Sequence, residues 1–251
     1  MRARWIVACA AAILLSGGCA SESNHADRAA TNDGAAEEAE ADDVAVDREA
    51  DQAAADAALL TLDDFPSGWQ EGPPVPEDDD DEVQADMAEC LGIDPDEVDS
   101  GNPRATSPPF ISEDEHEVLV GVTMAPSADE VQERLELLAS AEAPGCYSDA
   151  VQAVVAGNLL TNDLPAGVEV DDPTVNRLSF DRLGDRSVAF RATLPITFNG
   201  LDLALYVDLV FAQVGRAGVS MQFQSELSPF DVDEAARLTQ IVVDRVEPAA
   251  D

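Results

Sequence analysis

The chain has 251 residues, and its 52 acidic residues outnumber 13 arginines, with no lysine, for a formal net charge of −39. A protein this acidic does not bind nucleic acid by neutralising phosphates, and its potential repels anionic partners in general. About 45% of the residues are apolar, so a domain of ordinary size with an enclosed core is expected.

The beginning of the chain has the order of an export signal. Arg2 and Arg4 are the only charges before Glu22, and they precede an apolar stretch over residues 5–15. A positive segment followed by about 7–15 apolar residues is the secretory pattern. The stretch is also too short to be a membrane-spanning helix, which needs roughly 20 apolar residues.

The signal ends in Ser16-Gly17-Gly18-Cys19, which resembles the bacterial lipobox. In that motif, small residues precede a cysteine that receives a diacylglyceryl thioether and becomes residue 1 after cleavage. We therefore predict that residues 1–18 are a lipoprotein signal peptide and that Cys19 is lipidated, which anchors the protein on the extracytoplasmic face of the cell membrane. The alternative is an ordinary signal peptide that is cut near Ala20, with Cys19 incidental.

Residues 19–58 are predicted to be the lipidated cysteine and a disordered acidic linker. From Ala20 to Ala58 there are twelve acidic residues, two arginines and no aromatic residue. Such a segment buries too little apolar surface to offset the loss of chain entropy, although its alanine content favours a transient helix over residues 47–58. The folded part is then a single domain of residues 59–251.

Cys90 and Cys146 are the cysteines of this domain. An even number of cysteines in an exported protein predicts a disulfide. The rival interpretation is a reactive thiol pair, but the two cysteines have no C-x-x-C spacing and little nearby positive charge to lower a thiol pKa.

The first half of the domain is predicted to contain a helix through Cys90 and Leu91, a strand and two further helices. Residues 116–124 are rich in β-branched residues and predict the strand. Residues 127–130 have the form of a capping box, in which the Ser127 and Glu130 side chains bond reciprocally to the backbone, and they start an amphipathic helix. A third helix is predicted from Cys146 to about Leu160.

The last third of the chain predicts an antiparallel meander. Apolar residues alternate over 187–198 and 201–211, and Asn199-Gly200 between them is a strong hairpin signal. A further strand follows, and then a helix that Asp231 caps. The fold class is therefore α+β, an antiparallel sheet of about five or six strands with helices packed on one face.

This layout resembles the extracellular sensor-type domain of PknH-like receptor kinases, which small exported lipoproteins of high-GC Gram-positive bacteria share. The resemblance covers about residues 59–247 and rests on the two cysteines, the terminal helix and four segments: LTLDDFPSGW, VTMAPSADEVQERL, GDRSVAFRATLP and VGRAGVSMQF. It implies extracytoplasmic sensing, or ligand binding through a cleft, without a known reaction. A neighbouring resemblance, to lipoproteins with a PsbP-like sandwich, stays open.

No catalytic or metal motif is visible in the domain. It has no Gly-x-Ser-x-Gly elbow, no His-Glu-x-x-His motif, and His116 is its only histidine. We therefore predict no enzymatic activity, no cofactor and no zinc site. Carboxylates at 78–82 and 94–99 are of the type that hard cations prefer, but they do not form an EF-hand loop; we predict solvated acidic loops and leave weak divalent-cation binding open.

These observations predict a lipid-anchored protein of the cell envelope with a non-catalytic ligand-binding or sensing domain. A ligand groove is expected between the helices and the sheet, where Trp69 and Tyr147 are candidate lining residues, although both types are more often core residues. Expected partners are the membrane, through the lipid, and a small ligand or an envelope protein. The alternative is a structural or protein-interaction lipoprotein with no small-molecule ligand.

Overall fold

The computed structural model describes residues 48–74, 81–93, 101–161, 168–226 and 228–250. The helices described are α1 (48–58), α2 (Asp81–Leu91), α3 (Ala128–Leu138), α4 (Ala143–Thr161) and α5 (Val232–Val246). The strands are β1 (Trp69–Glu71), β2 (Arg104–Thr106), β3 (Phe110–Ser112), β4 (Glu117–Met124), β5 (Val168–Val170), β6 (Thr174–Leu178), β7 (Arg186–Phe198), β8 (Leu201–Val214) and β9 (Ala217–Glu226). In these ranges, no helix combines the length and the apolar composition that crossing a membrane requires.

The nine strands form one antiparallel sheet in the order β1-β3-β4-β9-β8-β7-β5, with β2 also paired to β4 and β6 to β7. The predicted α+β class and the meander of β7, β8 and β9 are confirmed. The sheet has more strands than the five or six predicted. Five of the nine, β1, β2, β3, β5 and β6, are only three to five residues long, too short for alternation to reveal.

The hairpin of β7 and β8 is the longest feature of the sheet, with strands of 13 and 14 residues. Asn199 and Gly200 form its turn with φ angles of 51° and 79°. Two consecutive positive φ angles match the twist of a hairpin, and asparagine followed by glycine tolerates them best. The hairpin predicted from the sequence is therefore confirmed in position and turn chemistry.

Helices pack on both faces of the sheet, which differs from the prediction of one covered face. On one face, here called the α4 side, α2, α3 and α4 cover Leu209 and Phe211 of β8. On the other, the α5 side, α1 and α5 cover Val210 and Ala212. Residues 207–214 of β8 are buried without interruption, and such an unbroken buried run is the mark of a strand covered on both faces.

The helix starts follow local chemistry. Ser127 Oγ accepts a hydrogen bond from Glu130 N at 3.3 Å, as predicted for α3. The Glu130 carboxylate, however, accepts a bond from Arg134 Nη2 at 2.8 Å, so it is held by the next turn of the helix rather than by a reciprocal capping bond. Asp231 Oδ1 accepts from Glu234 N at 2.9 Å and caps α5.

Helix α1 belongs to the folded body, which corrects the predicted linker over residues 48–58. Ala55 and Ala58 are fully buried in the core of the α5 side. Asp51 forms an ion pair with Arg216, in which Asp51 Oδ2 lies 2.9 Å from Arg216 Nη1. Alanines that look like linker residues in the sequence are here small side chains that let a helix approach the sheet closely.

Candidate functional site

A surface groove lies between α2 and α4, with a volume of about 340 Å³. Such a volume falls at the lower end of the range of small-molecule sites, roughly 300–1,000 Å³. Its lining residues are Asp86, Met87, Glu89 and Cys90 from α2, and Cys146, Asp149, Ala150 and Ala153 from α4. The groove is therefore formed by two helices that face each other across the outer layer of the α4 side.

The predicted cysteine pair joins the two walls of this groove. Cys90 and Cys146 are bonded as a disulfide, and their Cα atoms lie 5.7 Å apart, within the range typical of disulfides. Cys90 is exposed, whereas Cys146 is buried beside the core of the α4 side. Met87 and Leu91 of α2 are buried in the same core. The spacing of the two helices is thus set by one covalent bond and a small apolar contact.

The rim of the groove is acidic and its floor is apolar. Asp86, Glu89 and Asp149 are exposed carboxylates, and no arginine is among the lining residues of the described groove. In a chain with a net charge of −39, the groove has a negative potential that favours positively charged groups. Within the described ranges, no three His, Cys, Asp or Glu side chains are placed to hold a metal ion.

A second polar feature lines the α4 side of β4 and β9. Ser220, Gln222, Gln224 and Thr123 are each at most 4% exposed, and Ser220 Oγ donates to a backbone carbonyl of β4 at 3.4 Å. The Thr123 hydroxyl has no hydrogen-bond partner in the structure, which costs about 1–3 kcal/mol for a buried group. Sequence reasoning missed this strip, because polar residues that alternate with apolar ones in a strand usually face solvent.

A buried ion pair lies on the α5 side, next to the beginning of α5. Arg191 Nε and Nη2 donate to the two carboxylate oxygens of Asp208 at 2.6 and 2.5 Å, and Arg191 Nη2 also donates to Phe230 O at 3.0 Å. The Asp208 side chain is 1% exposed. Burial raises the pKa of Asp208, against the hydrogen bond and the charge of Arg191. The hydrogen bond to Asp208 in turn raises the pKa of Arg191.

The ion pair of Arg191 and Asp208 was also not predicted from the sequence, although the spacing of the two residues in the predicted hairpin indicates it. Asp208 occupies one of the alternating positions of β8, in register with Arg191 on β7. A carboxylate inside an apolar strand is rarely buried without a partner. Opposite charges that face each other across a predicted hairpin would have identified the pair.

The residues singled out in the sequence lie apart from the groove, except for the cysteines. Trp69 packs on Phe65, with ring centroids 4.6 Å apart. Tyr147 is 1% exposed and its ring lies 6.1 Å from that of Phe190. His116 contacts the Phe230 ring at 5.5 Å. Tyr147 is thus a core residue, and Trp69 is a half-buried residue that packs against the core of the α5 side; neither lines the groove.

Other predicted features lie outside the described residues. They are Cys19, the signal peptide, the linker before residue 48, and the acidic residues at 78–80 and 94–99. Asp81 and Glu82 begin α2, but their side chains lie outside the part of the chain that the structure describes. The predictions of lipidation and of weak divalent-cation binding by these carboxylates therefore stay predictions.

Comparison with known proteins gives similarities to solved structures only. No family model matches the chain, and no curated protein sequence matches it. The extracellular domain of PknH from Mycobacterium tuberculosis is 12% identical, with a TM-score of 0.41, over 76% of this chain and 94% of that one. An uncharacterized protein from Mycobacterium smegmatis is 14% identical, with a TM-score of 0.36, over 78% and 99%. LpqN, involved in cell envelope biogenesis of Mycobacterium tuberculosis, is 14% identical, with a TM-score of 0.25, over 73% and 78%.

Proposed function

We propose that the chain is a lipid-anchored extracytoplasmic protein of the cell envelope whose domain binds a small ligand in the groove between α2 and α4, without catalysing a reaction. The observation that carries the binding function is the groove itself, with its apolar floor and acidic rim. The export signal and the lipobox that ends at Cys19 support the location. A disulfide between the groove walls also fits an oxidising compartment.

The residue types in the groove favour binding over catalysis. Its polar lining groups are the exposed carboxylates of Asp86, Glu89 and Asp149. None of the residues that line the described groove is a serine, a histidine or a free cysteine, the side chains that commonly act as nucleophile or base beside a carboxylate. The exposed carboxylates are well placed to attract a cationic group while the apolar floor contacts the rest of the ligand.

Ligand binding in the groove predicts a thermal shift that a groove-filling substitution removes. Spermidine and Ca²⁺ are suitable cationic probes, and neutral sugars serve as comparison. A probe at 100 times its Kd is expected to add about 2.7 kcal/mol, which raises the Tm of a domain of this size by roughly 5–10 °C. Ala153→Trp should abolish the shift, because the indole ring occupies the groove.

The matched control is Ala57→Trp, which places the same ring on an exposed face of α1 and should retain the full shift. Differential scanning fluorimetry measures the Tm of the native protein, of Ala153→Trp and of Ala57→Trp, with and without each probe. Failure of both cations and sugars to raise the Tm would refute the small-ligand function and favour the interaction lipoprotein. Equal shifts in the two tryptophan variants would place the ligand elsewhere on the acidic surface.

Lipid anchoring predicts that the Cys19→Ser variant leaves the membrane. The native protein is expected in the membrane fraction, with a diacylglyceryl group on its amino-terminal cysteine, because two acyl chains give stable attachment. Fractionation and mass spectrometry of the amino-terminal peptide measure both properties. Cys9→Ser, which alters a cysteine within the predicted signal peptide, is the control and should stay membrane-bound. An unmodified Cys19 in the mature protein contradicts the proposal.

A further inference from the structure

Polar side chains attach the first half of helix α1 to the folded body. Asp51 forms a two-pronged ion pair with Arg216 in the turn between β8 and β9, and both side chains are partly exposed to solvent. Gln52 Nε2 donates to Arg104 O at 2.5 Å, and Gln52 Oε1 accepts a bond from Arg104 N at 3.3 Å. These contacts fasten α1 to the β8–β9 turn and to β2, and each of them breaks if α1 moves away as a whole.

The apolar part of this attachment is small. Residues 48–58 contain no apolar side chain larger than alanine, and Ala55 and Ala58 are the ones buried in the core of the α5 side. Helix α5, on the same face of the sheet, buries several larger side chains, including Leu238 and Val242. The stabilisation from burial increases with the apolar area removed from water, so α1 is held less tightly than α5.

The chain directly after α1 is fastened more firmly. Leu60 is 3% exposed and belongs to the core of the α5 side. Arg245 of α5 donates to Leu59 O at 2.7 Å, and it also bonds to the two carboxylate oxygens of Asp64 at 2.7 and 2.9 Å. Separation of α1 from the sheet would therefore stop at Leu59, and this boundary makes α1 a unit that can open by itself.

A detached α1 loses the packing that keeps it helical. Isolated helices shorter than about 12–15 residues are marginal in water, and α1 covers only residues 48–58. These residues span about 16 Å as a helix, at 1.5 Å per residue, and up to about 36 Å as an extended chain. Opening therefore lengthens the connection between residue 47 and the folded body by as much as about 20 Å.

We propose that α1 is a detachable strap, which leaves the α5 side as a unit by breaking the Asp51–Arg216 and Gln52–Arg104 contacts while the rest of the domain stays folded. A pull on the amino-terminal segment favours the longer, open form, so opening extends the reach of the domain from the membrane. This extension of reach rests on the proposed lipid anchor, whereas the opening itself does not. The groove lies on the α4 side, and its walls are unchanged when α1 opens.

Alkylation of buried thiols in the full chain tests the proposal. Ala55→Cys and Ala235→Cys each introduce a thiol at a fully buried position of the same core, one in α1 and the other in α5. Both proteins also carry Cys9→Ser and Cys19→Ser, so the result does not depend on the lipid. Mass spectrometry follows the reaction with iodoacetamide at increasing urea concentrations. The thiol at position 55 is expected to react at least about tenfold faster than the thiol at position 235, and with a weaker dependence on urea, because opening of α1 exposes little surface.

The ion pair of Asp51 supplies a matched comparison. Asp51→Asn should accelerate alkylation at position 55 about threefold or more, because it weakens a contact that opening breaks. Glu49→Gln removes the same charge from an exposed position of α1 and should have little effect, so equal effects of the two substitutions would contradict the proposed role of the ion pair.

Equal rates and equal urea dependence at positions 55 and 235 would overturn the proposal, because α1 would then separate only when the whole domain unfolds. Amide hydrogen exchange of the chain without introduced thiols makes the same comparison between residues 51–58 and Val232–Val246. A steep urea dependence in both segments would overturn the proposal in the same way, even if a cysteine variant failed to fold.

Discussion

Replacing both Cys90 and Cys146 with serine is expected to lower the free energy of unfolding by about 4 kcal/mol. The disulfide joins residues separated by 56 positions, and in the chain-entropy model its loss lets the unfolded chain regain that much conformational freedom. Urea denaturation of the oxidised proteins measures the difference. Both proteins also carry Cys9→Ser and Cys19→Ser, so that they differ only in the Cys90–Cys146 pair and neither contains another thiol.

The same variant should loosen α2 more than the rest of the domain. Helix α2 packs mainly on α4, and the disulfide is the covalent part of that contact. Amide hydrogen exchange is therefore expected to increase most in Asp81–Leu91, while Val232–Val246 of α5 keeps its relative protection. A free energy of unfolding within about 1 kcal/mol of that of the reference that keeps the disulfide, together with unchanged amide hydrogen exchange in α2, would contradict a stabilising role for the disulfide.

Replacing Arg191 with methionine is expected to cost about 3–5 kcal/mol at pH 7. Methionine keeps much of the apolar volume of the arginine side chain but leaves the Asp208 carboxylate, 1% exposed, without its partner. It also removes the bond that Arg191 donates to Phe230 O beside the start of α5. The matched control is Arg186→Met, because the Arg186–Glu136 pair is about half exposed; its loss should cost no more than about 1 kcal/mol.

The pH dependence of the free energy of unfolding shows whether Arg191→Met is destabilising because it leaves a buried charge or because it removes packing contacts. Burial already raises the pKa of Asp208, and removal of Arg191 should raise it further, because the favourable charge is gone. The folded R191M protein then binds a proton that the unfolded chain releases, so its stability should increase as pH falls from 7 toward 5. Arg191→Met/Asp208→Asn should lack this gain. If the free energies of unfolding of these two variants changed with pH in the same way, the loss of stability in Arg191→Met would come from packing alone.

Several elements could be predicted because their causes are local. The Asn199-Gly200 turn depends on two residues that tolerate positive φ angles, and the start of α5 depends on a carboxylate three residues before the amide that it accepts from. The meander follows from alternation along β7 and β8. In each case, the residues that determine the structure are neighbours in the chain or in the adjacent strand.

Other features required the packed structure. Nothing near Ala55 and Ala58 in the sequence distinguishes a linker alanine from one that packs on a sheet, and the short strands β2 and β3 form because β4 supplies their hydrogen bonds. The groove depends on the distance between α2 and α4, helices separated by more than 50 residues.

The amino-acid sequence by itself determined the acidic character, the α+β class and the central hairpin, and it predicts an export signal, since these depend on composition and on contacts between near neighbours. Only the tertiary structure decided which residues share a face, a core or a groove. Asp208 illustrates the division: its position in β8 follows from alternation, but its burial and its bond to Arg191 depend on the elements that cover the α5 side of the sheet. Burial is a property of the assembled layers, and no single segment of the chain contains it.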